Sequence, residues 1–203
     1  VLYIFEELVI AARAEERSVE NARIEKEDIQ GLDCSELDFE NVTFVKCRFS
    51  GCNFSGAGFY GVKFDSCAFI NCIFENGYFK DTSADMSKFN ESKLTKMSFR
   101  NFEATNSSFC YTDFSEAAFN GSSFRSCDMK EAFISKCKLK STTFHDINFT
   151  RADFFGTSLS GQNFSDCIID GIVVSDRFAE LKGLKVNASQ AADLAMLLGI
   201  KIV

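Results

Sequence analysis

Phenylalanine recurs at every fifth residue. It occupies positions 39, 44, 49, 54, 59, 64, 69, 74 and 79 without a break, then returns in the same register at 89, 99, 109, 114, 119, 124, 144, 149, 154 and 164. From Ile24 to Val174 the register runs through 31 consecutive pentads, 19 centred on Phe and the rest on Ile, Leu, Met, Val, Ala or Cys. With the central position written i, a second register of mostly small residues stands at i−2. Positions i−1, i+1 and i+2 hold nearly all the Asp, Glu, Lys, Arg, Asn and Gly of this stretch. A helix turns about 100° per residue and would spiral every fifth side chain off any face; a strand alternates with period two and would flip it. The chain must therefore turn once per pentad. The pattern predicts an extended piece with i−2 and i inward and i−1 outward, followed by a corner at i+1 and i+2. Eight of the 12 glycines fall at i+2, where a corner needs backbone freedom. Repeated corners close a coil, and coils stack as parallel strands about 4.8 Å apart.

Composition follows from this lattice. Pro is absent, because it would delete a hydrogen-bonded rung at nearly any position. Seven of the nine Cys sit at i−2, Cys34 is central and Cys110 points outward, the habit of small buried apolar residues in a reducing compartment. The competing reading is a disulfide between Cys47 and Cys67 or between Cys52 and Cys72, each 20 residues apart. The first residues carry no basic segment of a secretory signal and no apolar run is long enough to span a membrane, so a cytoplasmic chain without membrane contact is expected. A net charge of −7 and a pI near 4.9 argue against direct binding to nucleic acid, which needs a basic stripe. The one histidine, His145, stands on an outer corner. No nucleophile–base pair or metal-ligand cluster is apparent, so we expect no enzyme, no catalytic residue, no metal and no cofactor.

Pentads such as Cys47-Arg48-Phe49-Ser50-Gly51, Cys52-Asn53-Phe54-Ser55-Gly56 and Ala152-Asp153-Phe154-Phe155-Gly156 resemble those of the pentapeptide-repeat proteins. The resemblance implies an all-β solenoid, a right-handed quadrilateral β-helix with four pentads per coil and about eight coils. Consistent with a 20-residue coil, Ala84 and Ala104 would then lie over one another, with bulky Phe102 at i−2 filling the space beside them. Three regions are expected: residues 1–20 as a capping helix with Leu2, Phe5, Val9 and Ala12 on its apolar stripe, 21–176 as the β-helix, and 177–203 as a C-terminal helix and strand. Asn187 or Ser189 can cap that helix and Gly199 suits its end. This ending is similar to that of the quinolone-resistance (Qnr and MfpA) group. In that group it forms a two-fold homodimer, and the acidic rod imitates duplex DNA at a type II topoisomerase, gyrase or topoisomerase IV. The implied dimer interface is Phe178, Leu181, Leu184, Val186, Leu194, Leu197, Leu198, Ile200 and Ile202.

Sorting charges by side of a 20-residue coil makes one face the most acidic. Asp33, Glu36, Glu75, Asp113, Glu116, Asp153 and Asp176 stand there against Lys93, Lys96 and Lys136, a balance of −4. These seven are the candidate DNA-mimic residues. The loop insertions of several quinolone-resistance members are missing, since no insertion interrupts the pentads. Tyr60, Ile70, Ile73, Tyr78, Tyr111, Phe133 and Phe155 are apolar residues in outward registers, and Gln162 is an amide in an inward one. A generic interaction scaffold with another protein partner is the alternative function.

Overall fold

The computed structural model describes residues 4–197 and 199–201. Its strands pair only in parallel, and the register is 20 residues throughout: Phe39 lies on Phe59, Phe59 on Phe79, Phe79 on Phe99 and Phe99 on Phe119. One face is a seven-stranded ladder from Val19–Glu20 to Lys138–Lys140, and the next is a seven-stranded ladder from Arg23–Glu25 to Thr143–His145. The third begins with three strands, Asp28–Gln30, Arg48–Ser50 and Ala68–Ile70, and continues as isolated bridges to Ile168. The fourth consists of bridges alone, from Asp33–Asn53 to Asp153–Val173. Four pentads per coil thus make a quadrilateral parallel β-solenoid. Its long ladders span six full turns, and the bridges carry the stack over the remaining pentads.

Both inward registers are as expected, but the corner is not uniform. On the bridge-only face, turns such as Phe54–Ala57 close with Ala57 N–H donating to Phe54 O at 3.1 Å, so i+1 and i+2 form the corner. On the two long ladders the strand covers i−1, i and i+1, leaving the bend to i+2. From Lys26 to Gly161 every i+2 residue is left-handed, as at Asn41 (φ 53°), Met86 (φ 47°), Tyr111 (φ 58°) and Glu116 (φ 62°). That conformation explains why the i+2 register from Lys26 to Asp176 contains no Val, Ile or Thr: a branched Cβ is the worst fit to it.

Central Phe rings form columns, with Phe49 and Phe69 centroids 4.7 Å apart, Phe69 and Phe89 4.6 Å, and Phe99 and Phe119 4.5 Å. Such stacking adds about 0.5–1.5 kcal/mol per pair beyond area burial. Ala84 does pair with Ala104, and buried Phe102 fills the gap, its ring 5.5 Å from Phe79 and 5.7 Å from Phe124. The hydroxyls at i−2 are satisfied by the lattice. Ser107 Oγ accepts from Ser87 N–H at 3.0 Å and donates to Thr105 O at 2.8 Å. All nine cysteines are free thiols, including Cys47 below Cys67 and Cys52 below Cys72, so the disulfide reading does not hold in this structure.

The two open ends are closed differently. Helix α1 (Phe5–Ala14) lays Phe5, Val9 and Ala12 on the first coil, and Glu27, in an inward register, accepts Phe5 N–H at 3.0 Å; Leu2 lies outside the described residues. Strand Val19–Glu20 already belongs to the first ladder, two residues before the expected start of the repeat. At the far end the pentads stop at Val174 but the stack does not. Leu159 N–H donates to Glu180 O at 2.9 Å, Gly161 N–H to Gly183 O at 3.0 Å and Phe164 N–H to Lys185 O at 2.8 Å, so a segment without the motif supplies the last rung. Helix α2 (Ala188–Leu197) then covers it.

Candidate partner-binding face

The bridge-only face carries the predicted acidic residues. Its i−1 column reads Asp33, Asn53, Ile73, Lys93, Asp113, Phe133, Asp153 and Val173. Asp33 and Asp113 are four rungs apart, about 19 Å, and Asp113 and Asp153 two, about 10 Å. Glu36 and Glu116 are exposed at corners (φ 57° and 62°), Asp176 is exposed and Glu75 is half-buried. The structure therefore gathers Asp113, Glu116, Asp153 and Asp176 toward one end and Asp33 and Glu36 at the other. Glu75 stands apart from both. Lys93 and Lys96, both exposed, fill the rung that separates Glu75 from Asp113, and Lys136 interrupts the second group.

Three of the carboxylates also shape the fold. Asp33, Asp113 and Asp153 each accept, through Oδ1, the backbone N–H two residues on, from Ser35 at 3.0 Å, Ser115 at 2.9 Å and Phe155 at 2.7 Å. Asn53, Asn148 and Asn163 do the same on Ser55, Thr150 and Ser165, so an Asx turn explains these side chains without a partner. The Ser35 hydroxyl and N–H, with Arg13 beyond them, hold the Asp33 carboxyl below its ordinary range. Arg13 on α1 reaches Asp33 Oδ1 at 3.5 Å, drawing charge from that end of the face.

Apolar side chains interleave with these carboxylates. Tyr111, Phe133, Phe155 and Val173 are each about half exposed, and a shallow groove of about 300 Å³ is lined by Tyr111, Phe133 and Val173 with Glu131, Arg151 and Asp153. Arg151 pairs with Glu131 at 3.5 Å across its floor. Tyr60, Ile70, Ile73 and Tyr78 are instead half-buried. Val173 went unnoticed in the sequence because an isolated valine gives no signal until its neighbours one coil away are known.

The C-terminal segment divides the predicted interface. Leu181, Leu184, Val186 and Leu194 are partly buried against the chain's own core, Phe178 is half-buried, and Leu197 and Ile200 are exposed beside Met196. Leu198 and Ile202 lie outside the described residues. Asn187 is the helix cap: its Oδ1 accepts Gln190 N–H at 3.0 Å while Gln190 Oε1 accepts Asn187 N–H at 2.8 Å, a reciprocal capping box. Gln190 Nε2 also donates to Phe164 O and Cys167 O. The buried amide is thus Gln190; Gln162 is only half-buried. Gly199 (φ 76°) ends the helix, with Gly199 N–H on Met196 O and Ile200 N–H on Ala195 O, the two bonds of a Schellman motif. Gly199–Lys201 form no strand. His145 pairs with Asp166 at an exposed corner, away from the acidic face.

A rigid parallel β-solenoid, its interior filled with side chains and its four outer faces presented to solvent, defines the molecule as a repeat-built scaffold. The family model for pentapeptide repeats matches eight copies over residues 33–69, 87–133 and 134–171, and the chain belongs to the pentapeptide-repeat family. Among solved structures it is similar to a trypsin-treated variant of QnrB1, a plasmid-mediated fluoroquinolone resistance protein. The identity is 20% and the TM-score 0.62, over 90% of this chain and 100% of that one. It is also similar to HetL from the cyanobacterium Nostoc sp. strain PCC 7120, a pentapeptide-repeat protein involved in heterocyst differentiation regulation. There the identity is 16% and the TM-score 0.55, over 87% of this chain and 94% of that one. These likenesses establish the fold. No curated protein matches the sequence. No helix among the described residues is long and apolar enough to cross a membrane.

Proposed function

We propose that this chain is a non-enzymatic, cytoplasmic binding protein that engages a type II topoisomerase as a homodimeric mimic of duplex DNA. The observation that carries the reading is the placement of Asp113, Glu116, Asp153 and Asp176 along one side of an uninterrupted rod that ends in a helix with exposed Met196, Leu197 and Ile200. The fold shared with a fluoroquinolone resistance protein supports it. Magnitudes limit it to shape-led binding. A duplex of about 37 Å carries about 22 phosphate charges, whereas this chain has a net −7, so the complex should be weaker and less sensitive to salt than that of the duplex.

The test is a gyrase supercoiling assay titrated with the protein, with and without a quinolone. Binding is expected to shift supercoiling or drug sensitivity, and Asp113→Lys with Glu116→Lys to weaken the effect about tenfold or more. No detectable interaction with gyrase or topoisomerase IV would overturn the assignment. A second reading, a scaffold for another protein, is favoured by the exposed Tyr111, Phe133, Phe155 and Val173, since a phosphate mimic has no use for apolar groups among its carboxylates. Loss of a captured partner on Phe133→Ser, with gyrase unaffected, would select it.

A further inference from the structure

The ladder centred on Phe39, Phe59, Phe79, Phe99, Phe119 and Leu139 is polarised along the rod. Its outward columns, read from the strand register, are Asp38, Gly58, Tyr78, Ser98, Ala118 and Lys138 on one side and Glu40, Tyr60, Lys80, Arg100, Asn120 and Lys140 on the other. Acid occupies one end and base the other. Among the described residues, none of Asp38, Glu40, Lys80, Arg100, Lys138 and Lys140 has an intramolecular ion pair. The face is also flat. Gly58 is buried beneath Asp38 and Tyr60, where an added Cβ would stand 2.3 Å from Asp38 Oδ1 and 2.6 Å from Tyr60 Cε2, so both side chains lie down over the sheet.

We propose that this face packs antiparallel on the same face of a second copy of the chain, about a two-fold axis midway between the Phe79 and Phe99 rungs. That axis, lying in the interface and perpendicular to the rod, keeps each column opposite itself and reverses the rungs. Asp38 then meets Lys138 of the other copy and Glu40 meets Lys140, each twice by symmetry, while Gly58 and Tyr60 face Ala118 and Asn120. A parallel arrangement would set base on base and acid on acid. The contact is isologous and closes at two copies. It is distinct from the C-terminal helix and does not depend on the topoisomerase reading. Lys80 opposes Arg100 near the axis, a like-charge contact that weakens the pairing. A face three residues wide and six rungs long is roughly 10 by 25 Å. Two such faces bury less than the about 1,000 Å² of a stable complex, so the association is weak and falls with ionic strength.

The register can be read by zero-length carbodiimide coupling of carboxylates to lysines in the full chain at low salt, mixing ¹⁴N- and ¹⁵N-labelled protein. Within one chain Glu40 and Lys140 are five rungs apart, about 24 Å, so a Glu40–Lys140 cross-link of mixed isotope must join two copies. The expected result is that link, retained when Leu197→Glu and Ile200→Glu remove any association through α2, and lost in Lys138→Glu/Lys140→Glu. Adding Asp38→Lys and Glu40→Lys to the latter restores self-association, measured by sedimentation because the coupled residues have changed places. Arg100→Glu discriminates further: it converts the central repulsion into attraction and should tighten self-association several-fold. Absence of the cross-link would overturn the proposal, as would weaker self-association of Arg100→Glu or capture of poly-glutamate by the basic end without pairing of copies.

Discussion

Gly77 shows how little room one position in this lattice has. It stands in the inward i−2 register, where an added Cβ would lie 2.8 Å from the backbone oxygen of Ala57, 2.8 Å from Met97 Sδ and 3.2 Å from Phe74 O. The methionine sulfur can move but the two carbonyls belong to stacked rungs. Gly77→Ala is therefore expected to cost about 1–3 kcal/mol, measurable as a lowered midpoint in urea, whereas Gly31→Ala, with no atom within 4 Å of its Cβ, should show only the smaller strain of a left-handed alanine. The inward register was legible from the pentads, since small residues dominate it. That Gly77 makes way for Met97 was not, because the two meet only when coils stack. The Asx bonds of Asp33, Asp113 and Asp153 were equally hidden: an aspartate at i−1 reads as surface charge until its carboxylate is seen on the turn N–H.

At the scale of elements, the ends govern how the solenoid holds together. Glu180 is 4% exposed, and its carboxylate accepts from Gly156 N–H at 2.8 Å and from Ser175 Oγ at 2.8 Å, tying the last rung to the coil beneath. Burial pushes this carboxyl up, but the N–H of Gly156 and the Ser175 hydroxyl and N–H outweigh it and leave it below its ordinary value of 4.5. A carboxyl lowered in the folded state stabilises above its unfolded value, and that contribution is lost as pH falls through the folded one. Amide-exchange protection of residues 180–197, relative to the intrinsic rate, should thus fall in acid before that of the central coils, and Glu180→Gln, about 1–3 kcal/mol less stable, should flatten the pH dependence. In sequence this segment reads as a dimerisation module. In the structure its Leu181, Leu184, Val186 and Leu194 also pack on the chain's own core, covering a coil that would otherwise leave Phe164 and Ile169 in water.

For the molecule as a whole, stability is spread along one continuous core. Buried thiols give it a signature. Desolvation pushes Cys137 and Cys167 up to about 12 from an ordinary 9.0. Their stabilisation is complete below the unfolded value and is lost as pH rises from about 9 toward 12. Thermal midpoints should fall over that window and fall less in Cys137→Ala/Cys167→Ala, compared with its own neutral-pH value. Quaternary structure is testable at the same scale. At high salt, where the ladder contact is screened, Leu197→Glu with Ile200→Glu should yield monomers by light scattering at concentrations where the parent is dimeric, and an unchanged mass there would remove the C-terminal dimer.

The pentad register by itself determined that the chain coils, which side chains point inward and that Pro has nowhere to sit. These follow from the five-residue repeat, which recurs in the sequence as plainly as in space; that four pentads make a coil, and so that Ala84 lies over Ala104 beside Phe102, was implied by the family resemblance and is seen in the strand register. Only the tertiary structure decided which faces are strands and which are turns, that residues 180–185 complete a coil without the motif, that Gln190 is the buried amide, and that acid and base segregate along one ladder. Each depends on a partner that periodicity does not mark, such as Gln190 on Phe164, 26 residues back, or on charges brought into line only by stacking. The repeat specifies the lattice strongly because every coil enforces it, while the outward positions are free to differ, and it is there that binding would have to reside.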